Sequence, residues 1–310
     1  MDGDGGQRKA GQDLATLVTR RHDALRAQAP LAREGQAGGV HQARVASRRL
    51  REVVPVLGRG LADVKLKRLR RHLRALTRAL GPVRELDVAR AMIDELSLDT
   101  ADAAQLAGAW RDHLDDLRRR PVRAMRKAVS WSNRRALDGE LDAFAAARAS
   151  SDDAAWRTAL GQRLALRAQT LRAHVERTGT RYQPGPLHEV RIAAKKLRYA
   201  LEITDETGLA RLAGSLRTLK AAQEALGRLH DLDVLLTFLH SLPDAAPGRT
   251  LQHAAAAAVA VIEGDSRRLH ARYLRAAPSL LRVADATAQV VVPRVLAIDA
   301  PHKDSAPDGR

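Results

Sequence analysis

The sequence predicts an all-α fold built from two tandem helical-bundle repeats, and three observations carry this prediction. The chain has 310 residues, which corresponds to about two domains of ordinary size. Apolar residues recur at helical spacing along most of it, and no stretch alternates as a strand does. Two sequence blocks occur twice in the same order. We therefore expect roughly eight to twelve helices in two halves related by a pseudo-twofold axis.

Glycine and proline residues mark the expected helix ends. They stand at positions 58, 60, 81–82, 121, 184–186, 243 and 247–248. The Gly-rich segment 1–11 and the low-complexity tail 298–310 are both expected to be disordered. Between them we expect a first helical half over residues 12–150 and a second over residues 151–297.

The composition indicates a polyanionic partner. Lys and Arg number 53 against 36 Asp and Glu, which gives a formal net charge of +17. The absence of cysteine excludes disulfides, cysteine-bound zinc, iron–sulfur clusters and thiol catalysis. No apolar run has the length of a membrane span, and the N-terminus lacks the apolar region of a signal peptide. We expect a soluble intracellular protein that needs no cofactor, no metal and no membrane.

The first repeated block predicts a helix with a cationic face. It reads VHQARVASRRLR in one half and LHEVRIAAKKLR in the other, at an offset of 147 residues. On a helical wheel, the histidine and the basic residues three, seven and ten positions later lie within about 80° of one another, away from the apolar side. We call these two sets the basic stripes. They are His41, Arg44, Arg48 and Arg51, and His188, Arg191, Lys195 and Arg198.

Stripes without any acidic residue favour a bound anion. A solvated helix face usually mixes charges, because pairs four residues apart stabilise the helix. Gly38 and Gly39 precede one stripe and residues 184–186 the other, so each histidine lies near a helix start, where free N–H groups attract anions. Phosphate oxygens suit the paired donors of Arg and the point charge of Lys. A solvated face is the alternative for one stripe alone, but its duplication favours phosphate binding.

The second repeated block places an aspartate six residues after a glycine. Its copies, LRALTRALGPVRELDV and LKAAQEALGRLHDLDV, are offset by 146 residues. We interpret Gly81 and Gly227 as helix C-caps, and Asp87 and Asp233 as acidic residues that suit the start of the next helix. Metal binding is the alternative role of the aspartates. The preceding segments carry matched cations, which we expect to be secondary anion contacts: Arg71, Arg74, Arg217 and Lys220.

The doubled pattern His-x-x-Arg-Val/Ile-x-x-basic-basic-Leu-Arg, followed each time by Leu-Gly and Leu-Asp-Val, resembles the CHAD family of histidine-bearing α-helical domains over about residues 12–290. The resemblance implies two bundles whose basic helices line a shared central groove. It also implies binding of inorganic polyphosphate and association with cytoplasmic polyphosphate granules and their proteins. The implied polyphosphate contacts are His41, Arg44, Arg48, Arg49, Arg51, His188, Arg191, Lys195, Lys196 and Arg198.

The resemblance further implies a binding module and not an enzyme. Some relatives carry a triphosphatase-like domain with a Glu-x-Glu-x-Lys strand, and this sequence has no such motif. Two other functions stay open. The charge permits nucleic-acid binding through phosphate contacts, although aromatic residues make up only 3% of the chain and offer few stacking platforms. An enzyme acting on phosphorylated substrates is the other, although GxxxxGKS/T and GxGxxG fingerprints are absent.

Overall fold

The chain is mostly helical in the part that the computed structural model describes, which comprises residues 3–61, 65–96, 101–151, 153–241 and 249–297. Within these ranges it forms no strand, so the predicted all-α class is confirmed. A π-helical segment, Thr287–Val291, links the last two α-helices. The α-helices are α1 (Gly3–Glu34), α2 (Ala37–Leu57), α3 (Leu66–Glu95), α4 (Ala101–Ala128), α5 (Trp131–Ala149), α6 (Ala155–Thr178), α7 (Pro184–Glu206), α8 (Ala213–Ser241), α9 (Arg249–Ala286) and α10 (Val292–Ala297).

The helices pack in the same order in both halves. The predicted boundary falls between the end of α5 at Ala149 and the start of α6 at Ala155. In the first half α1 packs on α2, α2 on α3 and α3 on α4, and in the second half α6, α7, α8 and α9 repeat that series. Corresponding helices also meet, since α2 contacts α7, α3 contacts α8 and α4 contacts α9. These contacts are what a pseudo-twofold relation would produce, and that relation stays a prediction.

The apolar sides of α2 and α7 anchor both basic stripes to the core. Leu50 and Leu197, which align at the offset of 147, are both fully buried in one apolar cluster that draws on both halves. Pro184 opens α7, where its missing N–H breaks no helical hydrogen bond. A smaller apolar cluster joins α3 and α4 to α8 and α9, and it includes Ile93, Trp110, Leu235 and Ile262. The two halves are therefore held together by buried apolar surface.

Two prolines that the sequence predicts as helix breakers lie inside helices. Pro82 is within α3 and Pro121 is within α4, and both helices continue past them. A proline removes one backbone hydrogen bond, and packing of the long helices against their neighbours offsets that loss. Tertiary packing therefore overrides these two predicted breakers.

The N-terminal segment also differs from the sequence prediction. The sequence predicts disorder over residues 1–11, whereas α1 already begins at Gly3. Lengthening an existing helix needs no new nucleus, so it can extend into Gly-rich sequence. The breakers at 243 and 247–248 and the tail 298–310 lie outside the described residues. Among the helices that are described, none has the length and apolar character needed to cross a bilayer.

Candidate anion-binding site

A strongly cationic cavity of about 440 Å³ lies between α2, α3, α7 and α8. Its charged and histidine side chains come in pairs that the two sequence offsets align, with one member from each half. Five Lys and Arg side chains face two carboxylates across this cavity, which we call the basic pocket. Its pairs are His41 with His188, Arg44 with Arg191, Arg48 with Lys195, Arg84 with His230, and Glu85 with Asp231.

The structure brings together six of the ten residues that the resemblance implies as polyphosphate contacts. These six line the basic pocket: His41, Arg44, Arg48, His188, Arg191 and Lys195. The charges of the two stripes are close enough to repel, since Arg191 acts on both Arg44 and Arg48. Both halves therefore contribute to one positively charged site.

The other four residues do not line the basic pocket. Arg49 and Arg198 both contact the carboxylate of Glu202, and the Nε atom of Arg49 lies 3.3 Å from Glu202 Oε2. Arg51 is exposed on α2, and Lys196 is half-buried on α7. The four expected secondary contacts are all exposed on α3 and α8, outside the pocket lining: Arg71, Arg74, Arg217 and Lys220.

Sequence reasoning missed two of the five pocket pairs. Arg84 aligns with His230, and Glu85 aligns with Asp231, at the offset of 146. Both pairs keep a basic or histidine residue followed by an acid, although the residue types differ. A search for matching chemistry, instead of matching letters, would have found them in the second block.

The interpretation of Gly81 and Gly227 as helix C-caps is wrong, because α3 and α8 continue well beyond them. Both glycines lie where an arginine of a basic stripe crosses the helix. A Cβ atom on Gly81 would lie 3.2 Å from Arg44 Nη1, and one on Gly227 would lie 3.9 Å from Arg191 Nε. The missing side chain at Gly81 thus leaves room for the Arg44 guanidinium group beside the backbone, whereas a Cβ atom on Gly227 would make only an ordinary contact with Arg191.

Asp87 and Asp233 lie in the middle of helices, so their expected place at helix starts is also wrong. Each tethers the segment that precedes a basic helix. Asp87 accepts a hydrogen bond of 2.7 Å from Arg118, which donates at 2.6 Å to the Gly35 carbonyl just before α2. Asp233 accepts a hydrogen bond from the Tyr182 hydroxyl just before α7. No group of three or more metal-ligating side chains occurs in the described part of the chain.

Burial lowers the pKa values of Arg44, Arg48, Arg191 and Lys195, and repulsion between neighbouring cations adds to the shift for all of these except Arg191. Burial is the main cause for Arg44, with repulsion by Arg48 added, and its guanidinium remains cationic near neutral pH. Burial also lowers the pKa of Lys195 to about 7, with Arg48 and Arg191 as the next causes. Lys195 is therefore the pocket cation whose charge changes near physiological pH.

The three pocket histidines are neutral in the free protein near pH 7. Burial, followed by nearby arginines, lowers the pKa values of His41 and His188 below the usual range. Burial and Arg191 lower the pKa of His230 to about 4. His188 Nδ1 lies 3.2 Å from His230 Nδ1, so one ring donates a hydrogen bond and the other accepts it.

The described part of the chain is thus an all-α domain in which two basic helices line one cationic cavity. A family model described as the CHAD domain matches residues 16–240, and the chain belongs to that family. The crystal structure of the CHAD domain from the plant Ricinus communis is similar at 22% identity and a TM-score of 0.63, covering 89% of this chain and 91% of that one. PptA from Streptomyces chartreusis is similar at 20% identity and a TM-score of 0.58, covering 86% and 98%. At such identities the likeness shows the fold alone, and a comparison with curated proteins finds no match.

The two glycines offer a matched test of the close approach. Alanine inside a helix is more stable than glycine by about 0.5–1 kcal/mol. We expect Gly227→Ala to raise the free energy of unfolding by about this amount. Gly81→Ala should gain less, because the Arg44 guanidinium must shift to admit the methyl group. Denaturant titrations measure both values, and equal stabilisation would contradict the tighter approach at Gly81.

Proposed function

We propose that the chain is a non-catalytic module that binds inorganic polyphosphate in the basic pocket. The observation that carries this proposal is the convergence of five Lys and Arg side chains from both halves on a single cavity with two carboxylates. Such like charges repel one another, and a bound polyanion would replace repulsion with charge-assisted hydrogen bonds. The stripes supply both Arg forks and a Lys point charge for phosphate oxygens.

The shape and lining of the pocket favour a narrow chain without bases. The aromatic rings among the described lining residues belong to three histidines, and none belongs to a Trp, Tyr or Phe side chain. Single-stranded nucleic acid is usually held by stacking its bases on aromatic side chains. A duplex could present its phosphates only to the rim of a cavity between four helices. These features favour polyphosphate over the nucleic-acid alternative.

A binding role is favoured over an enzymatic one by the chemistry of the lining. Glu85 Oε1 lies 3.8 Å from Arg44 Nη2, and Arg191 acts on Asp231, so both carboxylates are placed as partners of cations. The described lining contains no Ser, Thr or Cys that could act as a nucleophile beside the histidines. We extend the proposal to a cytoplasmic protein at polyphosphate granules, with granule proteins as further partners.

Removing two pocket arginines should abolish most of the polyphosphate affinity. We expect R44Q/R191Q to weaken binding by at least about ten-fold, because each arginine contacts phosphate with charge-assisted hydrogen bonds. The matched control is R267Q/R268Q, which removes two exposed arginines from α9. Calorimetry at one salt concentration measures the affinities, and circular dichroism checks the fold. An equal loss in the control would assign binding to net charge alone.

The same assay decides between polyphosphate and nucleic acid. Duplex DNA and RNA are added as competitors at equal phosphate concentration and equal salt, because phosphate binding depends strongly on ionic strength. We expect both to displace polyphosphate poorly. Competition as strong as that of free polyphosphate would overturn the proposed function in favour of a nucleic-acid-binding protein.

Polyphosphate binding should be linked to proton uptake by Lys195. Its pKa is about 7 in the free protein, and adjacent phosphate favours the charged form and raises that pKa. The contribution of Lys195 to the affinity should therefore be nearly constant below pH 7 and fall as the pH rises above it. Calorimetry at pH 8 in two buffers of different ionisation enthalpy measures the uptake, which Lys195→Met should remove. Wild-type binding without proton uptake at pH 8 would contradict this role of Lys195.

A further inference from the structure

The outer ends of the two basic stripes differ in their partners. Arg51 and Arg198 align at the offset of 147 as the last stripe residues. Arg198 is paired with Glu202 and donates a hydrogen bond of 2.8 Å to Gln223. Arg51 is exposed and forms no ion pair within the described part of the chain. The position that aligns with Glu202 in the first half is Pro55, so one carboxylate distinguishes the two ends.

The Glu202 carboxylate lies where Arg49 of α2 and Arg198 of α7 would otherwise bind an external anion. Its side chain is only 11% exposed and lies between α2 and α7. Oε2 is 3.3 Å from Arg49 Nε, and Oε1 accepts from Arg198. Displacing this carboxylate would leave a partly buried negative charge without its partners, which is costly. A phosphate therefore competes poorly for these two arginines.

The first half instead presents a group of arginines next to the basic pocket. Although Arg51 is exposed, partial shielding of its guanidinium from water lowers its pKa; the charge of Glu52 opposes this shift, and three arginines add to it. Those three are Arg48, Arg74 and Arg78. Arg48 also lines the basic pocket, so the positive charge continues from the pocket to the exposed faces of α2 and α3. Glu52 is held by α6, since Arg163 Nη1 lies 2.7 Å from its Oε2.

The second half lacks an equivalent group. The positions that align with Arg74 and Arg78 are Lys220 and Glu224, so an acid replaces one of the arginines. Both Lys220 and Glu224 are exposed on α8. Together with Glu202, this carboxylate reduces the positive charge along the outer part of α7 and α8. The electrostatic attraction for a polyanion is therefore stronger at the outer end of the first half.

We propose that Glu202 acts as an internal anion that closes one end of the cationic surface, so that a polyphosphate chain leaves the basic pocket along α2 and α3, past Arg51, Arg74 and Arg78. This inference rests on the proposed function and adds a direction to it. Exposed arginines without a carboxylate partner can take up phosphates and release counterions. Arg49 and Arg198, by contrast, stay with Glu202, so they position helices and do not hold the ligand.

The first test compares two charge-matched triple variants on exposed side chains. The variants are R51Q/R74Q/R78Q and its control R211Q/R217Q/K220Q. With a chain of about 100 phosphates, we expect the first to lose several-fold more affinity and about two more units of salt dependence than the control. A chain of about four phosphates, which fills only the pocket, should bind both variants alike. Equal losses with the long chain would overturn the proposed path.

The second test removes the internal anion. E202Q frees Arg49 and Arg198, and we expect it to raise the affinity for the long chain by about three-fold or more at low salt. The control E176Q removes one carboxylate from the exposed Arg172–Glu176 pair on α6, and its affinity should stay within about two-fold of the wild type. Unchanged or weaker binding by a folded E202Q would overturn the role of Glu202.

The outcomes separate this inference from the proposed function. If the wild-type chain binds neither short nor long polyphosphate, the proposed function itself is wrong. If the wild type binds but the two triple variants behave alike, only the path is wrong. If E202Q does not fold, the triple variants still test the proposed path, because all six side chains are exposed.

Discussion

Repulsion among the cations of the basic pocket is the constraint on which the rest of this structure depends. Arg44, Arg48, Arg191 and Lys195 come from two helices, and their charges are partly buried together. Burial raises the cost of each charge, and proximity raises it further. The fold offsets this cost by packing the apolar sides of α2 and α7 into a core that both halves share. Under the proposed function, a bound polyanion offsets the remaining repulsion.

The duplicated sequence explains how the cluster is assembled. Each half supplies one basic helix, and an arginine of each basic helix lies beside a glycine of the neighbouring helix, Arg44 beside Gly81 and Arg191 beside Gly227. Asp87 and Asp233 tether the segments that lead into the basic helices. The same parts thus recur twice around one cavity. Glu202 then breaks this equivalence, because the first half has a proline in its place.

Much of this arrangement could be predicted from the sequence. Helical periodicity predicts the all-α class, because apolar residues that recur about every 3.6 positions share one face of an α-helix and not of a β-strand. The same wheel predicts that Leu50 and Leu197 are buried, and it places the residues that line the cavity on the opposite side. The repeat spacing predicts that each half contributes one stripe. These predictions succeed because they depend on local geometry within single helices.

What could not be predicted depends on contacts between helices. Arg49 and Arg198 have the same residue types as true pocket residues, and only the packing of α2 on α7 reveals that Glu202 pairs with both. The sequence around Gly81 is typical of a helix end, and only the structure shows that the helix continues there and that Arg44 lies against this glycine. The central claim is that both stripes hold one ligand, and calorimetry across a series of polyphosphate lengths tests it most directly. We expect one polyphosphate chain per protein and an affinity that rises by about 10² or more with chain length before it levels off, because the second stripe meets a chain that the first already holds. Equal affinity for pyrophosphate and long chains would contradict it.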